Sequence, residues 1–171
     1  MEKPVNELKQ VESKIPPNDL GVEFIFDSDG TLIIKKIWKP FKQVPSLIEE
    51  LKKQGYTLHV ASFNVNAESH LKDLKENFSI LSCQYNAQGK QINVLEVVKK
   101  GNLDPLKTIF FDDSYDKRQA VKGEGIFVWP VNHKTGITTH DIINALKYWK
   151  KWYLQKLKSR KDCAEVKSEK A

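Results

Sequence analysis

Five short apolar runs, each followed by a segment with helical periodicity, are the feature that most constrains how this chain folds. The runs are continuous rather than alternating, which is typical of parallel strands buried on both faces of a sheet. The pattern predicts five strands, at Val22–Phe26, Thr57–Ala61, Phe78–Tyr85, Thr108–Phe111 and Ile126–Trp129. It predicts helices that begin near Val44, Asn66, Ile92, Ser114 and Thr139, the last ending near Lys158. This order predicts a single doubly wound, Rossmann-like α/β domain with about five parallel strands.

The length and composition fit one such domain with short extensions. The chain has 171 residues, of which 40% are hydrophobic, and this is enough apolar surface for a core. We predict a flexible lead-in at residues 1–20, the folded domain at residues 21–158 and a basic, disordered tail at residues 159–171. The first residues lack the apolar region of a secretory signal, and no apolar run approaches the length of a membrane span. Two cysteines alone cannot build a disulfide framework, so we expect a cytoplasmic location.

The positive charge of the chain lies at one end. The formal net charge is +6, yet residues 1–133 contain 18 Lys/Arg and 18 Asp/Glu, whereas residues 134–171 contain 10 and 4. The neutral body argues against a uniformly basic nucleic-acid-binding domain. The last predicted helix carries an apolar stripe with Ile142, Trp149 and Leu157, which we expect to pack on the sheet. The alternative is that its lysines and aromatic residues contact nucleic acid, an acidic partner or a membrane surface.

Polar residues follow four of the predicted strands, at or soon after the point where each strand ends. In chain order they are Asp27, Asp29, Ser62, Lys90, Asp112 and Asp113. The carboxyl ends of parallel strands meet at one edge of the sheet, where ligands bind, so we expect these side chains to converge. Four carboxylates repel one another unless a cation lies among them, and an oxygen-only ligand set suits Mg²⁺. Because a lysine and a hydroxyl suit phosphate oxygens, the set predicts phosphoryl transfer.

The order and placement of these residues resemble the haloacid dehalogenase superfamily of aspartate-nucleophile phosphatases. The resemblance rests on Phe26–Leu32 (FDSDGTL), Ser62, Lys90 and Ile109–Asp113 (IFFDD), and it spans most of the chain. The chain is most similar to the capless magnesium-dependent phosphatase family, because only about 30 residues separate the first motif from Ser62. No insertion large enough for a cap follows the third strand either. The resemblance implies a Mg²⁺-dependent phosphomonoester hydrolase with a haloacid-dehalogenase-like fold and no large cap.

The resemblance also implies a role for each residue. Asp27 is expected to be the nucleophile that forms an aspartyl-phosphate, and Asp29 the acid and base that serves the leaving oxygen and then the hydrolytic water. The expected phosphate-binding residues are Ser62, Asn64 and Lys90. The expected magnesium ligands are Asp27, the backbone carbonyl of Asp29, Asp113 directly, and Asp112, which either binds the metal through water or orients Lys90.

The substrate is less constrained than the chemistry. An open site would admit a phosphorylated small molecule, a phosphotyrosine or a nucleic-acid end. Phe63-Asn64 follows Ser62 where the magnesium-dependent family tends to carry an arginine, and Gly30 stands where an aromatic residue is common. One alternative is a polynucleotide 3′-end phosphatase that uses the basic C-terminal helix. Another is a non-catalytic phospho-receiver or binding module, although receivers carry their acidic pair on the first strand, whereas here an Asp-x-Asp comes first.

Overall fold

The computed structural model describes residues 14–169, with side chains through residue 166. Its strands are β1 (Glu23–Phe26), β2 (Ile33–Ile34), β3 (Lys39–Pro40), β4 (Thr57–Ser62), β5 (Phe78–Cys83), β6 (Thr108–Asp112) and β7 (Phe127–Pro130). β2 and β3 pair as a small antiparallel hairpin. The other strands form one parallel sheet in the order β5-β4-β1-β6-β7. The predicted α/β fold class with five parallel strands is therefore confirmed.

Helices connect the strands of this sheet. They are α1 (Val44–Lys53), α2 (Ala67–His70), α3 (Lys90–Gly101), α4 (Tyr115–Lys122) and α5 (Thr139–Glu169), with short 3₁₀ turns at Lys75–Asn77 and Pro105–Lys107. Among the described residues, no helix is both long enough and apolar enough to cross a membrane. Within residues 14–169, the β1–β4 connection contains only the hairpin and α1, and the β4–β5 connection contains only α2 and a 3₁₀ turn, so neither holds a cap domain.

The two faces of the sheet are covered by different helices. Side chains of a strand point alternately to opposite faces, and β1 divides its residues accordingly. Phe24 and Phe26 pack in the larger core with residues of α1 and α5, whereas Ile25 packs in a second core with residues of α3 and α4. Continuous apolar sequence is needed in β1 and β6 because these central strands are buried on both sides.

Two helices differ from their predicted lengths. The helix predicted from Asn66 to Asn77 is regular only over α2 and continues through i→i+3 hydrogen bonds, such as Leu74 N to Leu71 O at 2.8 Å. This tighter winding places Leu71 and Leu74 on one side, and both are buried. At the other end of the chain, α5 passes the predicted end near Lys158, so residues 159–169 of the predicted disordered tail are helical. That segment contains neither glycine nor proline to stop a helix.

The lead-in is ordered over the part that the structure describes. Ile15 is buried in the larger core. The side-chain oxygen of Asn18 accepts a hydrogen bond from Val22 N at 2.8 Å, and the Tyr56 hydroxyl donates one to Pro16 O at 3.0 Å. Residues 14–20 of the segment predicted to be flexible therefore pack against the domain, while residues 1–13 lie outside the described part of the chain.

Candidate active site

The candidate site lies at the carboxyl ends of β1, β4 and β6. β1 pairs in parallel with both other strands, and the strand order reverses next to β1, so the site is at the topological switch point. Phe26 of β1 is in register with Phe111 of β6, and Asp27 N donates a hydrogen bond to Phe111 O at 2.9 Å. This register brings Asp27 and Asp112 side by side at the end of two neighbouring strands.

Lys90 is the cation at the centre of the site. It is the first residue of α3, and its side chain is completely buried. Its Nζ donates a hydrogen bond to Asp27 Oδ1 at 2.7 Å and lies 3.7 Å from Asp112 Oδ2. A cation at a helix N-terminus opposes the helix dipole, so these two carboxylates must provide the compensating interaction. The preceding residue, Gly89, has a φ of 126°, a backbone angle that other residues rarely adopt.

Three carboxylates form an acidic cluster beside Lys90. One oxygen each of Asp27, Asp112 and Asp113 lie within 4.8 Å of one another. Asp27 Oδ2 and Asp112 Oδ2 are buried and have no hydrogen-bond partner among the described residues. Burial raises the pKa of Asp27, although Lys90 opposes the shift, and burial together with Asp27 raises the pKa of Asp112 to about 8.

A hard divalent cation fits this cluster. The cluster contains three carboxyl groups but only one ammonium group, that of Lys90. Two of the buried carboxylate oxygens lack a hydrogen-bond donor within residues 14–169. An unpaired buried charge is costly, and a cation bound by these oxygens would relieve that cost. An oxygen-only ligand set is the type preferred by Mg²⁺.

The loop that follows β1 turns sharply and passes close to Asp113, which follows β6. Ser28 O accepts hydrogen bonds from Leu32 N at 2.8 Å and from Ile33 N at 3.0 Å, which closes the turn. Gly30 sits in this turn with a φ of 78°, and a Cβ atom there would lie 2.5 Å from Asp113 Oδ2. Glycine is needed at position 30 for two reasons: the backbone is left-handed there, and the Asp113 carboxylate leaves no room for a side chain.

Asp29 and Asn64 form a separate pair at the edge of the site. Asn64 Nδ2 donates to both carboxylate oxygens of Asp29, at 3.1 and 3.2 Å. The amide of Asn64, which is predicted to bind phosphate, thus contacts Asp29, and its phosphate role stays a prediction. Ser62 is buried, and its hydroxyl oxygen accepts a hydrogen bond from Asn64 N at 3.1 Å. The structure thus brings Asp27, Asp112, Asp113 and Lys90 into one cluster and places Asp29, Ser62 and Asn64 in a neighbouring group.

Sequence reasoning missed two residues that shape the site. Asn93 lies one helical turn after Lys90 and is buried, and its Nδ2 donates to Gln84 O at 2.9 Å and to Ser62 O at 3.2 Å. It ties α3, which carries Lys90, to the ends of β4 and β5. The i, i+3 spacing from Lys90 was the available indication, because such residues share a helix face. Lys117 was also missed; its Nζ lies 5.0 Å from the centre of the Phe63 ring.

Comparison with known proteins finds similar folds among solved structures. No protein-family model and no curated protein matches this chain. Several solved structures do match, among them a haloacid dehalogenase-like family hydrolase from Streptococcus pneumoniae, with a TM-score of 0.59 and 16% identity over 72% of this chain and 90% of that chain. A Bacteroides thetaiotaomicron enzyme of the same superfamily, in complex with magnesium and inorganic phosphate, matches with a TM-score of 0.56 and 12% identity over 69% and 96%.

A third match is CbbY from Rhodobacter sphaeroides in complex with phosphate, with a TM-score of 0.53 and 15% identity over 65% of this chain and 87% of that chain. All three identities are low, so the likeness establishes the shared fold and not the reaction. The chain has the haloacid-dehalogenase-like α/β fold, and its chemistry has to be argued from its own residues.

Proposed function

We propose that this protein is a Mg²⁺-dependent phosphomonoester hydrolase of the capless magnesium-dependent type, which works through an aspartyl-phosphate on Asp27. The observation that carries the proposal is the environment of Asp27. Its carboxylate is buried, Lys90 holds one oxygen, and the other oxygen has no hydrogen-bond partner among the described residues. A carboxylate oriented in this way, next to a site for a divalent cation, is suited to attack phosphorus.

The reaction is a double displacement. An Asp27 oxygen forms a bond to phosphorus while the bond from phosphorus to the leaving oxygen breaks, and Asp29 supplies the proton that the leaving oxygen takes up. In the second step Asp29 accepts a proton from water, the water oxygen bonds to phosphorus, and the Asp27–phosphorus bond breaks. The net change converts a phosphomonoester and water into an alcohol and phosphate.

Asp29 is suited to both proton transfers by its position. It is only partly buried, unlike Asp27, so it is accessible to the leaving group and to water. The Asn64 amide donates to both of its oxygens, which fixes the orientation of the carboxylate. Asn64 therefore positions the acid and base in this proposal.

The remaining residues stabilise charge. Lys90 orients the Asp27 carboxylate, and its buried ammonium group is close enough to the nucleophile to meet a phosphoryl oxygen as the bond forms. Asp27, Asp112, Asp113 and the Asp29 carbonyl would hold Mg²⁺, which when bound would neutralise part of the phosphate charge. The Ser62 hydroxyl, at the end of β4, is the candidate for a further phosphoryl contact.

Asp27→Asn is the direct test. With p-nitrophenyl phosphate and Mg²⁺, we expect the variant to lose at least about a thousandfold in kcat, because an amide cannot replace the nucleophilic carboxylate. Asp162→Asn, which changes an exposed carboxylate on α5, is the matched control and should keep wild-type kcat. If Asp27→Asn retains full activity, the proposed mechanism is wrong. A phosphoprotein that forms on Asp27 but never releases phosphate would instead indicate a receiver-like module.

A further inference from the structure

Trp38 has a strained backbone conformation. It lies in the turn between β2 and β3, where its backbone N–H donates a hydrogen bond to Ile34 O at 2.8 Å. Its φ is 53°, in the left-handed region that a bulky side chain seldom adopts, and 46% of the residue is exposed. Residues with backbone strain of this kind cluster at functional sites.

The ring of Trp38 is held flat against His70. The two ring centroids are 4.7 Å apart and the ring planes differ by 17°, so one face of the indole is covered by the imidazole. Because the residue is nearly half exposed, this stack does not bury Trp38 in a core. The contact orients the indole as a rigid, flat surface with one side directed away from His70.

This surface is connected to the proposed acid and base. His70 Nδ1 lies 3.4 Å from Asn64 Nδ2, and the same amide donates to Asp29 at 3.1 Å. Asp29 delivers its proton to the leaving oxygen in the proposed mechanism. Asn64 thus links the residue that protonates the leaving oxygen to the stack of His70 and Trp38.

The groove beside Trp38 has a charge that suits a phosphorylated molecule. It has a volume of about 830 Å³, and Trp38 and His70 are among its lining residues. Its Lys, Arg, Asp and Glu lining residues are Lys39, Lys42, Lys72 and Asp73, three cations against one anion. These lysines attract an anionic phosphomonoester towards this side of the molecule as it approaches.

We infer that Trp38, oriented by His70, is the stacking surface for a flat ring in the leaving group, so that the substrates are phosphomonoesters of aromatic or heteroaromatic alcohols. The inference rests on the proposed function and specifies the substrate class of the same site. Stacked rings interact more favourably than a saturated ring of the same size against an indole, by an amount that corresponds to about a five- to tenfold preference.

The test compares two esters that differ in ring planarity. Benzyl phosphate and cyclohexylmethyl phosphate both release a primary alcohol, so their intrinsic reactivities are similar. We expect the wild-type kcat/KM to favour benzyl phosphate about five- to tenfold. Trp38→Gly removes the ring and accommodates the positive φ, and its preference should fall to about one. Trp38→Phe, which retains a flat ring, should restore most of the preference.

Tyr148→Ala is the matched control. Tyr148 is 52% exposed and stacks on Trp129 with a centroid distance of 5.7 Å, but it lies on α5, away from the groove. Its removal should leave the preference ratio at the wild-type value. A wild-type ratio near one, or a ratio that Trp38→Gly does not change, would overturn the inference while leaving phosphatase activity intact.

A binding measurement separates this inference from the proposed function. Benzylphosphonate and cyclohexylmethylphosphonate cannot be hydrolysed, and calorimetry in the presence of Mg²⁺ measures their affinities without turnover. If the wild type hydrolyses neither these esters nor p-nitrophenyl phosphate, the proposed function fails. A ring preference in phosphonate binding that Trp38→Gly abolishes would then still support the stacking surface, and equal affinities for the two phosphonates would refute it.

Discussion

Lys90→Met is the perturbation that best tests the electrostatics of the site. Methionine approximates the length of the lysine side chain but carries no charge. The Lys90 side chain is completely buried between Asp27 and Asp112, at 2.7 and 3.7 Å. Removing one partner of a buried ion pair leaves the other charge uncompensated, which costs about 3–5 kcal/mol. For a domain of this size, that loss corresponds to a fall of roughly 6–20 °C in the unfolding temperature.

The loss should depend on pH in a definite direction. Lys90 lowers the pKa of both Asp27 and Asp112, so its removal raises pKa values that burial already holds above those of the unfolded chain. A carboxyl group with a raised pKa destabilises the fold when it ionises, so stability falls as the pH rises from about 4 towards the folded pKa, about 8 for Asp112. Lys90→Met should therefore destabilise the protein much more at pH 8 than at pH 5.

The assay is urea or thermal unfolding at pH 5 and pH 8, with EDTA present to exclude metal. Lys99→Met is the control, because Lys99 is an exposed lysine on the same helix, and its effect should stay within about 0.5 kcal/mol at both pH values. Equal losses for Lys90→Met at the two pH values would refute the electrostatic reasoning and assign the effect to packing.

Two further predictions concern the same cluster. Mg²⁺ should raise the unfolding temperature more at pH 8 than at pH 5, because protons compete with the cation for Asp27 and Asp112. At a Mg²⁺ concentration one hundred times the Kd, the free energy of unfolding should rise by about 2.7 kcal/mol. EDTA should reverse this increase. No gain at pH 8 would argue against the metal site. Gly30→Ala should lower both stability, by about 1–3 kcal/mol, and kcat/KM, because its Cβ would lie 2.5 Å from Asp113. Gly125→Ala, with a φ of 80° and open space around its Cβ, should lower stability alone.

The sheet could be predicted from the sequence because its central strands are buried on both faces. Such strands must be apolar at every position, as in Thr108–Phe111, and a short apolar run between two helical segments is typical of a buried parallel strand. The hairpin of β2 and β3 was not predicted, because two residues per strand are too few to show any periodicity. The end of α5 was misplaced for a different reason. Its residues beyond Leu157 carry no apolar stripe, and only the absence of glycine and proline indicates that the helix can continue there.

The positions of the site residues were predictable for a topological reason. Parallel strands end at the same edge, so Asp27 and Asp112 had to be neighbours once β1 and β6 were assigned and found to pair. The direction in which a loop side chain points does not follow from strand order. The contact of Asn64 with Asp29 could not be predicted, because it depends on how the chain after Ser62 turns back towards the loop that follows β1. The stacking of Trp38 on His70 could not be predicted, because the two residues are distant in sequence.

Lys117 supplies a positive charge near Asp27 and Asp112 that the sequence pattern does not indicate. The resemblance to the magnesium-dependent family leads one to expect an arginine after Ser62, and Phe63 stands there instead. The Phe63 ring is nevertheless bordered by two cations, with Lys90 Nζ at 5.1 Å and Lys117 Nζ at 5.0 Å from its centre. Lys117 comes from the first turn of α4 and lowers the pKa of both Asp27 and Asp112. Lys117 thus adds positive charge beside Phe63 from an element distant in sequence, and only the packing of Phe63 between the two lysines reveals it.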